Sequence, residues 1–295
     1  MSPAAIALVL AAAIAHASWN LFGKQAADTG AAFFVWLLAI CVVVLYLPVV
    51  ALTAFLAHPR LAPLNWLFLA GTGLLHAGYF LFLQRGYRLG DLSLGYPIGR
   101  GTGAMLAAVG GIVLLGERPG LVAGAGILAI IAGVVVIGLP GRGARTGPAG
   151  PRPADAAAAI GFALVTGIFI ACYTIWDKYA VASLHTEPIL QGYAGFPVMA
   201  AVFTPFVLRD RAALAQVWSS FRRQVIGAAL LSPLAYILVL IALTFTAVSA
   251  VAPAREVSVL FGVLLGRRFL GEGNVARRLA AAAAIVAGII AVAIG

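Results

Sequence analysis

Three ionisable residues lie deep within apolar stretches of the sequence. Arg100 lies in the run 92–115, and Arg255 and Glu256 lie in the run 247–266. A charged side chain at the centre of a membrane helix costs about 2.5–3.5 kcal/mol on insertion scales, so it needs an ion-pair partner, a wet cavity or both. Two interpretations stay open. Arg100 and Glu256 could form an ion pair between two parts of the chain, or the guanidinium groups could bind a carboxylate or phosphate of a solute.

Glu256 is also a candidate for proton coupling. Among nine acidic residues it is the only carboxylate that the sequence places well inside an apolar run, because Asp177 falls at the end of another run. A carboxylate inside a membrane protein can carry a proton. The neighbouring arginines oppose this role, since they favour the charged carboxylate. Coupling to a proton or to a counter-solute is therefore left open.

Two prolines precede these charged residues at equivalent places in their runs. Pro97 comes three residues before Arg100, and Pro253 comes two residues before Arg255. Proline removes a backbone hydrogen bond and kinks a helix. Paired interruptions in corresponding membrane helices indicate the binding site of a transporter. We therefore predict that both prolines break their helices beside the site.

One face of the first apolar run is polar and aromatic. His16, Trp19 and Asn20 are spaced i, i+3 and i+4, which places them on one side of a helix. Tyr173 corresponds to Trp19 when the second half of the chain is aligned with the first, as the internal repeat described below allows. A polar and aromatic face inside a bilayer favours a cavity wall over lipid contact. We predict that these four residues contact a solute.

Two further runs contribute residues of the same kind. His76 and Tyr79 share a face at i and i+3 in the third apolar run (64–84), and Tyr236 lies inside the eighth apolar run (224–244). A buried structural role is the alternative for either histidine taken alone. Two distant histidines and one carboxylate have no metal-ligand spacing, so the sequence predicts neither a metal site nor another cofactor.

The composition explains why these residues must be held by membrane helices. Hydrophobic residues make up 63% of the 295 and charged residues 9%, whereas soluble domains carry about 25% charged residues. Apolar runs of about 20 residues are typical of helical spans. We predict an all-α polytopic membrane protein with ten transmembrane helices, at residues 3–22, 31–57, 64–84, 92–115, 119–139, 155–176, 188–208, 224–244, 247–266 and 274–294.

An internal repeat divides the chain into residues 1–140 and 154–295, joined by a Gly- and Pro-rich linker at 141–153. Five spans per half is an odd number, so the second half must cross the bilayer in the opposite direction. Inverted repeats of this kind are typical of secondary transporters, whose sites lie near the midplane. The matching positions are Lys24 and Lys178 (offset 154), Pro97 and Pro253 (offset 156), and Glu117 and Glu272 (offset 155).

The loop charges predict an orientation. Fourteen of the 19 Lys and Arg residues lie in loops opposite the N-terminus, and three lie in loops on its own side. Because basic loops stay in the cytoplasm, we expect both termini on the outer side of a bacterial-type inner membrane. Anionic lipid headgroups account for the basic loops without a nucleic-acid partner.

Three segments resemble a known family. The segment 16–24 (HASWNLFGK) resembles the first-span signature of the drug/metabolite transporter superfamily, EamA-type branch, as does the stretch 90–118. Residues 253–272 resemble the same motif in the second half. The resemblance implies ten helices, a central cavity lined by spans 1–4 and 6–9, and export or exchange of small metabolites. Many relatives keep both termini in the cytoplasm, which differs from the orientation that the charges predict here.

These observations favour a secondary transporter over an enzyme. The sequence contains no HExxH, GxSxG or GxxxxGK[ST] motif and no pair of membrane-buried aspartates. We expect efflux or exchange of a small polar metabolite that carries an anionic group, such as an amino acid or an organic anion, by alternating access. The alternative is a flippase for a lipid-linked anionic headgroup. The protein is expected to act as a monomer or homodimer.

Overall fold

The computed structural model describes residues 1–26, 30–89, 92–138 and 153–258, together with residues 261, 265, 284, 287, 288, 290 and 291. In the four continuous segments the chain is helical apart from short connections. The helices are α1 (Pro3–Gln25), α2 (Ala31–Ala57), α3 (Pro63–Leu89), α4 (Leu92–Leu114), α5 (Leu121–Gly138), α6 (Pro153–Ala182), α7 (Pro188–Val207), α8 (Arg211–Phe245) and α9 (Val248–Ala254).

Local sequence sets several of the helix starts. Proline stands in the first turn of α1 and α7, where its missing N–H costs no helical hydrogen bond. A side chain caps each of these helices. Ser2 accepts a hydrogen bond from the backbone N–H of Ala5, and Glu187 accepts one from that of Leu190. Such caps satisfy backbone donors that the helix itself leaves unpaired.

The helices have the length and surface of membrane spans. Among the described residues, α1, α2, α3, α7, α8 and residues Ala157–Ala182 of α6 are long and apolar enough to cross a bilayer. Ile98–Leu114 and Leu121–Gly133 are shorter apolar helices. Large apolar side chains are exposed on the outside, including Phe55 at 72% and Leu128 at 69%. A water-soluble protein would bury these groups, so the chain is a multi-pass membrane protein.

The largest difference from the predicted spans lies at α8. The sequence predicts a span from residue 224, but α8 begins at Arg211 and bends at Phe221, whose φ is −126° and ψ 16°. The added segment is amphipathic, since Val217 is buried whereas Arg222 and Arg223 at its end are exposed. A search for continuous apolar runs misses a helix of this kind because only one of its faces is apolar.

The ninth predicted span is interrupted in the structure. Helix α9 ends at Ala254, Arg255 and Glu256 form a turn, and Val257 and Ser258 are helical again. In this turn the backbone N–H of Glu256 donates to the carbonyl of Pro253, a tighter i→i−3 bond than that of an α-helix. The tenth span, the linker and the segment around Glu272 lie outside the described residues, apart from the isolated positions given above.

The helices pack in matched pairs across the chain. Helix α1 packs on α8 as α3 packs on α6, and α2 packs on α8 as α3 packs on α7. Helices α2 and α7 also pack on each other, and so do α4 and α9. Each pair maps onto its match when helices α1–α4 are exchanged with α6–α9. The extensive α4–α6 interface has no equally large counterpart between α1 and the described part of α9.

Two lysines make the same contact in the two parts of the chain. The ammonium of Lys24 donates to the carbonyl of Tyr87 at 2.9 Å, near the end of α3. The ammonium of Lys178 donates to the carbonyl of Leu243 at 2.8 Å, near the end of α8. The lysines are 154 residues apart and their acceptors 156. Lys24 thus links α1 to the end of α3, and Lys178 links α6 to the end of α8.

Close packing between α3 and α7 depends on Gly73. A Cβ atom at this position would lie 2.4 Å from the Cβ of Val198. Gly73→Ala is therefore expected to lower the unfolding free energy by about 1–3 kcal/mol through overpacking. Gly161→Ala is the matched control, because its Cβ would meet no atom within 4 Å. Thermal unfolding of the purified protein in detergent measures both, and an unchanged Tm for Gly73→Ala would contradict this packing.

Candidate functional site

A small cavity is lined by α1, α3, α6, α7 and α8. Its volume is about 30 Å³, which is room for about two water molecules. This space is smaller than a metabolite needs, and we refer to this arrangement as the closed form. Six residues that the sequence predicts as solute contacts line the cavity: His16, Trp19, His76, Tyr79, Tyr173 and Tyr236.

Aromatic rings form much of the cavity wall. The ring of His76 stacks on that of Tyr173 with centroids 4.2 Å apart, and Tyr236 meets His76 edge-on at 5.0 Å. Trp19 donates its indole N–H to Nδ1 of His16 at 3.1 Å. These contacts order rings from α1, α3, α6 and α8 around one space. Such a wall offers flat apolar surfaces together with polar edges.

Asn20, which the sequence also predicts as a solute contact, does not line the cavity. Its amide donates to the carbonyl of His16 at 2.8 Å, and its Oδ1 accepts a hydrogen bond from the Tyr87 hydroxyl at 2.7 Å. The residue is buried and is not part of the cavity wall. In this closed form Asn20 therefore connects α1 to α3.

Arg100 and Glu256 form a two-point ion pair. Nη2 of Arg100 lies 2.6 Å from Oε1 of Glu256, and Nε lies 3.0 Å from Oε2. Both side chains are buried, at 2% and 0% exposure. The pair joins α4 to the turn after α9, as the first of the two interpretations expects. Arg100 also borders a second cavity of about 10 Å³, between α3, α4 and α6.

Arg255 lies next to Glu256 in the sequence but is not part of this ion pair. Its side chain is 3% exposed, and its Nε has no hydrogen-bond partner among the described residues. No carboxylate in the described part of the chain lies within ion-pair distance of it. Arg255 does not line the cavity in this closed form, but its charge acts on the cavity residues His16, His76 and Tyr236.

The two prolines have different surroundings. Helix α9 ends one residue after Pro253, which is buried. At Pro97 the structure differs from the predicted break, because α4 runs through this position as a helix. Pro97 is the sixth residue of α4 and therefore removes one helical hydrogen bond, the one to the carbonyl of residue 93, without ending the helix.

Asp177 is a functional candidate that the sequence reasoning missed. It is not at the end of a span, since α6 continues to Ala182, and it is fully buried. Glu256 is therefore not the only carboxylate inside the helices. Asp177 accepts hydrogen bonds from Thr72 at 2.9 Å, from Gln191 at 2.7 Å and from the Tyr236 hydroxyl. The signal in the sequence is the apolar segment YAVA that follows Lys178.

Comparison with known proteins finds one matching family model and a similar solved fold. Residues 3–139 match the model of the EamA-like transporter family. A solved crystal structure of a protein is similar over 100% of this chain and 98% of its own, with a TM-score of 0.71 at 17% identity. This likeness concerns the fold. No curated protein matches the sequence. Members of the EamA-like family are transporters, not enzymes. This multi-pass membrane protein therefore matches, over residues 3–139, the EamA-like transporter family, which is part of the drug/metabolite transporter superfamily.

Proposed function

We propose that this protein is a secondary transporter that exports or exchanges a small polar metabolite bearing an anionic group, such as an amino acid or organic anion. In this proposal ten transmembrane helices form two inverted halves, residues 1–140 and 154–295, with both termini on the outer side of a bacterial inner membrane. The halves rock against each other and open the central cavity to each side in turn.

The matched contacts of the described helices support the two-half arrangement. Lys24 and Lys178 bind equivalent carbonyls, and the α1–α8 and α3–α6 interfaces correspond. Arg100 and Glu256 are also equivalent positions, 156 residues apart, and they pair with each other. A contact between equivalent positions is what a pseudo-twofold axis produces. The cavity lies among the same helices, which is where alternating access needs it.

The observation that carries the anionic character of the solute is Arg255. Among the described residues this buried guanidinium has no carboxylate partner, which is costly, and its burial becomes favourable when a solute supplies an anion. Arg100 does not need an anion from the solute, since its Nε and Nη2 already donate to the carboxylate of Glu256. When the halves separate, the space beside His16, His76 and Tyr236 widens toward Arg255, and a carboxylate of the solute binds there.

Replacing Arg255 tests this proposal. We expect Arg255→Gln to reduce transport about 10- to 100-fold, because a charge-assisted hydrogen bond contributes about 1.5–3 kcal/mol. The assay is counterflow in proteoliposomes with individual radiolabelled L-amino acids and dicarboxylates as probes. Arg209→Gln is the matched control, since Arg209 is exposed at the end of α7. Wild-type rates in Arg255→Gln would remove the anion site.

The flippase alternative receives less support from the geometry. An open groove of about 680 Å³ lies between α3, α4 and α6 and would face lipid. Its wall consists of apolar and aromatic residues, with no Arg or Lys among those described. An anionic headgroup would find no basic partner in this groove. Reorientation of a fluorescent anionic lipid in the same proteoliposomes distinguishes the two functions.

A further inference from the structure

Asp177 is a fully buried carboxylate whose hydrogen-bond partners are neutral side chains from three other helices. Thr72 of α3, Gln191 of α7 and Tyr236 of α8 all donate to it. In the described part of the chain no basic side chain forms an ion pair with it. The function proposed above assigns no task to this group.

The nearby basic groups on α6 and α4 have partners other than Asp177. On its own helix, Lys178 directs its ammonium to the carbonyls of Leu243 and Thr246. On α4, Arg100 is paired with Glu256. On the helices around Asp177, the titratable residues that also line the cavity are His76, Tyr79, Tyr173 and Tyr236, and Arg255 is buried directly after α9.

A chain of hydrogen bonds connects Asp177 to the cavity. The Thr72 hydroxyl lies 2.9 Å from Oδ2 of Asp177 and 3.1 Å from Nδ1 of His76. Nδ1 of His76 also lies 2.9 Å from the carbonyl of Thr72. Both Thr72 and His76 line the cavity, whereas Asp177 lies behind them. The path from the cavity therefore runs from the imidazole of His76 through the hydroxyl of Thr72 to the buried carboxylate of Asp177.

The same heavy-atom positions suit both protonation states of Asp177. With the carboxylate charged, the Thr72 hydroxyl donates to Oδ2 and Nδ1–H of His76 donates to Thr72. With the carboxyl protonated, Oδ2–H donates to the Thr72 oxygen and the Thr72 hydroxyl donates to Nδ1. A hydroxyl can donate and accept, and a neutral imidazole has two tautomers, so the bonds from Asp177 through Thr72 to His76 exist in both states. The bond from Nδ1–H of His76 to the carbonyl of Thr72 exists only while the carboxylate is charged. Gln191 donates to Oδ1 in both states.

We propose that Asp177 is a proton-binding site of the transport cycle, loaded from the cavity through His76 and Thr72. An excess proton that enters the cavity from the solvent binds Nε2 of His76, the Nδ1 proton passes to Thr72, and the hydroxyl proton of Thr72 passes to Oδ2. One proton is bound in total, and His76 remains neutral in its other tautomer. The coupling of this proton to solute movement rests on the proposed transport function.

Glu256 is less suited to this task. It is held by two hydrogen bonds to a guanidinium, and protonating it would break an ion pair between α4 and the turn after α9. Protonation of Asp177 breaks no ion pair among the described residues. The two carboxylates can be separated by experiment, because each has a neutral amide replacement of nearly the same shape.

Infrared difference spectroscopy between high and low pH tests the site without a solute. For the full-length protein in lipid nanodiscs, we expect the carbonyl band of a protonated carboxyl group to grow as the pH falls. Asp177→Asn should remove this band, whereas Glu256→Gln and the exposed control Asp210→Asn should retain it. Asn can keep the hydrogen bonds at position 177, since both hydroxyls around it can accept as well as donate.

The outcomes are distinct. A band retained in Asp177→Asn, or lost in Glu256→Gln instead, overturns the proposal, and so does a wild type without a band. Thr72→Val should slow the appearance of the band after a pH jump at least tenfold, and Thr72→Ser should restore the rate. An unchanged rate in Thr72→Val overturns the route through Thr72.

A second measurement addresses coupling. Proteoliposomes that contain the pH-sensitive dye pyranine report proton movement driven by whichever amino acid or dicarboxylate shows counterflow. We expect this proton signal in the wild type and its loss in Asp177→Asn. If no probe shows counterflow in the wild type, the transport proposal fails while the infrared bands still decide the proton site. Wild-type proton movement in Asp177→Asn overturns the coupling role.

Discussion

Arg100→Met is expected to lower the free energy of unfolding by about 3–5 kcal/mol, because it leaves the carboxylate of Glu256 buried without its partner. The structure gives the reason. Two hydrogen bonds of 2.6 and 3.0 Å join the side chains, and neither is exposed by more than 2%. No second basic residue among those described forms an ion pair with Glu256, so none replaces the lost one.

The double variant Arg100→Met with Glu256→Met separates the cost of a broken pair from the net contribution of the pair. A buried ion pair replaced by apolar groups of similar volume is often nearly neutral for stability. We therefore expect the double variant to recover most of the loss, which gives a large coupling energy in the double-mutant cycle. SDS titration in mixed micelles, followed by circular dichroism, measures all three variants and the exposed control Arg209→Met.

A double variant as unstable as Arg100→Met would contradict this account. Its transport activity is informative as well. Recovered stability with wild-type counterflow identifies the pair as a structural link between α4 and the turn after α9. Recovered stability without counterflow means that the ion pair is also required for solute transport.

The spans could be predicted from the sequence because the bilayer fixes their length and polarity. Each of the first eight predicted runs overlaps a helix, although α3, α6 and α8 are longer than predicted. The repeat alignment read from the sequence places Arg100 and Glu256 at equivalent positions of the two predicted halves, and the structure shows that they form an ion pair. By contrast, the start of α8 at Arg211 was missed, because an amphipathic segment has no continuous apolar run.

The cavity wall was predictable where aromatic and polar residues recur at helical spacing. His16 with Trp19 and His76 with Tyr79 show this spacing, and all four line the cavity. Gln191 and Asp177 were missed for another reason. Their burial depends on donors and acceptors from other helices, and a single sequence does not show which helices meet. Lys178 next to Asp177 resembled the polar end of a span, although its ammonium binds backbone carbonyls.

The start of α9 depends on Glu117, a residue that lies between α4 and α5. Oε1 of Glu117 accepts a hydrogen bond from the backbone N–H of Val248 at 2.8 Å, and Oε2 accepts one from that of Ser249 at 2.8 Å. The residue at the N-cap of α9 is Ala247, which supplies no side-chain cap. Gly116, with φ of 69°, forms the left-handed turn that precedes Glu117. A carboxylate near a helix N-terminus also interacts favourably with the helix dipole.

Glu117→Ala is therefore expected to lower the unfolding free energy by about 2–5 kcal/mol, since each buried N–H that loses its acceptor costs about 1–3 kcal/mol. Ala247 has the extended backbone of an N-cap, with φ of −62° and ψ of 142°. Adding Ala247→Ser to Glu117→Ala should thus return about 1 kcal/mol through a local cap. The same SDS titration measures both variants. If Glu117→Ala is as stable as the wild type, or Ala247→Ser gives no recovery, the cap from Glu117 does not hold α9 in place.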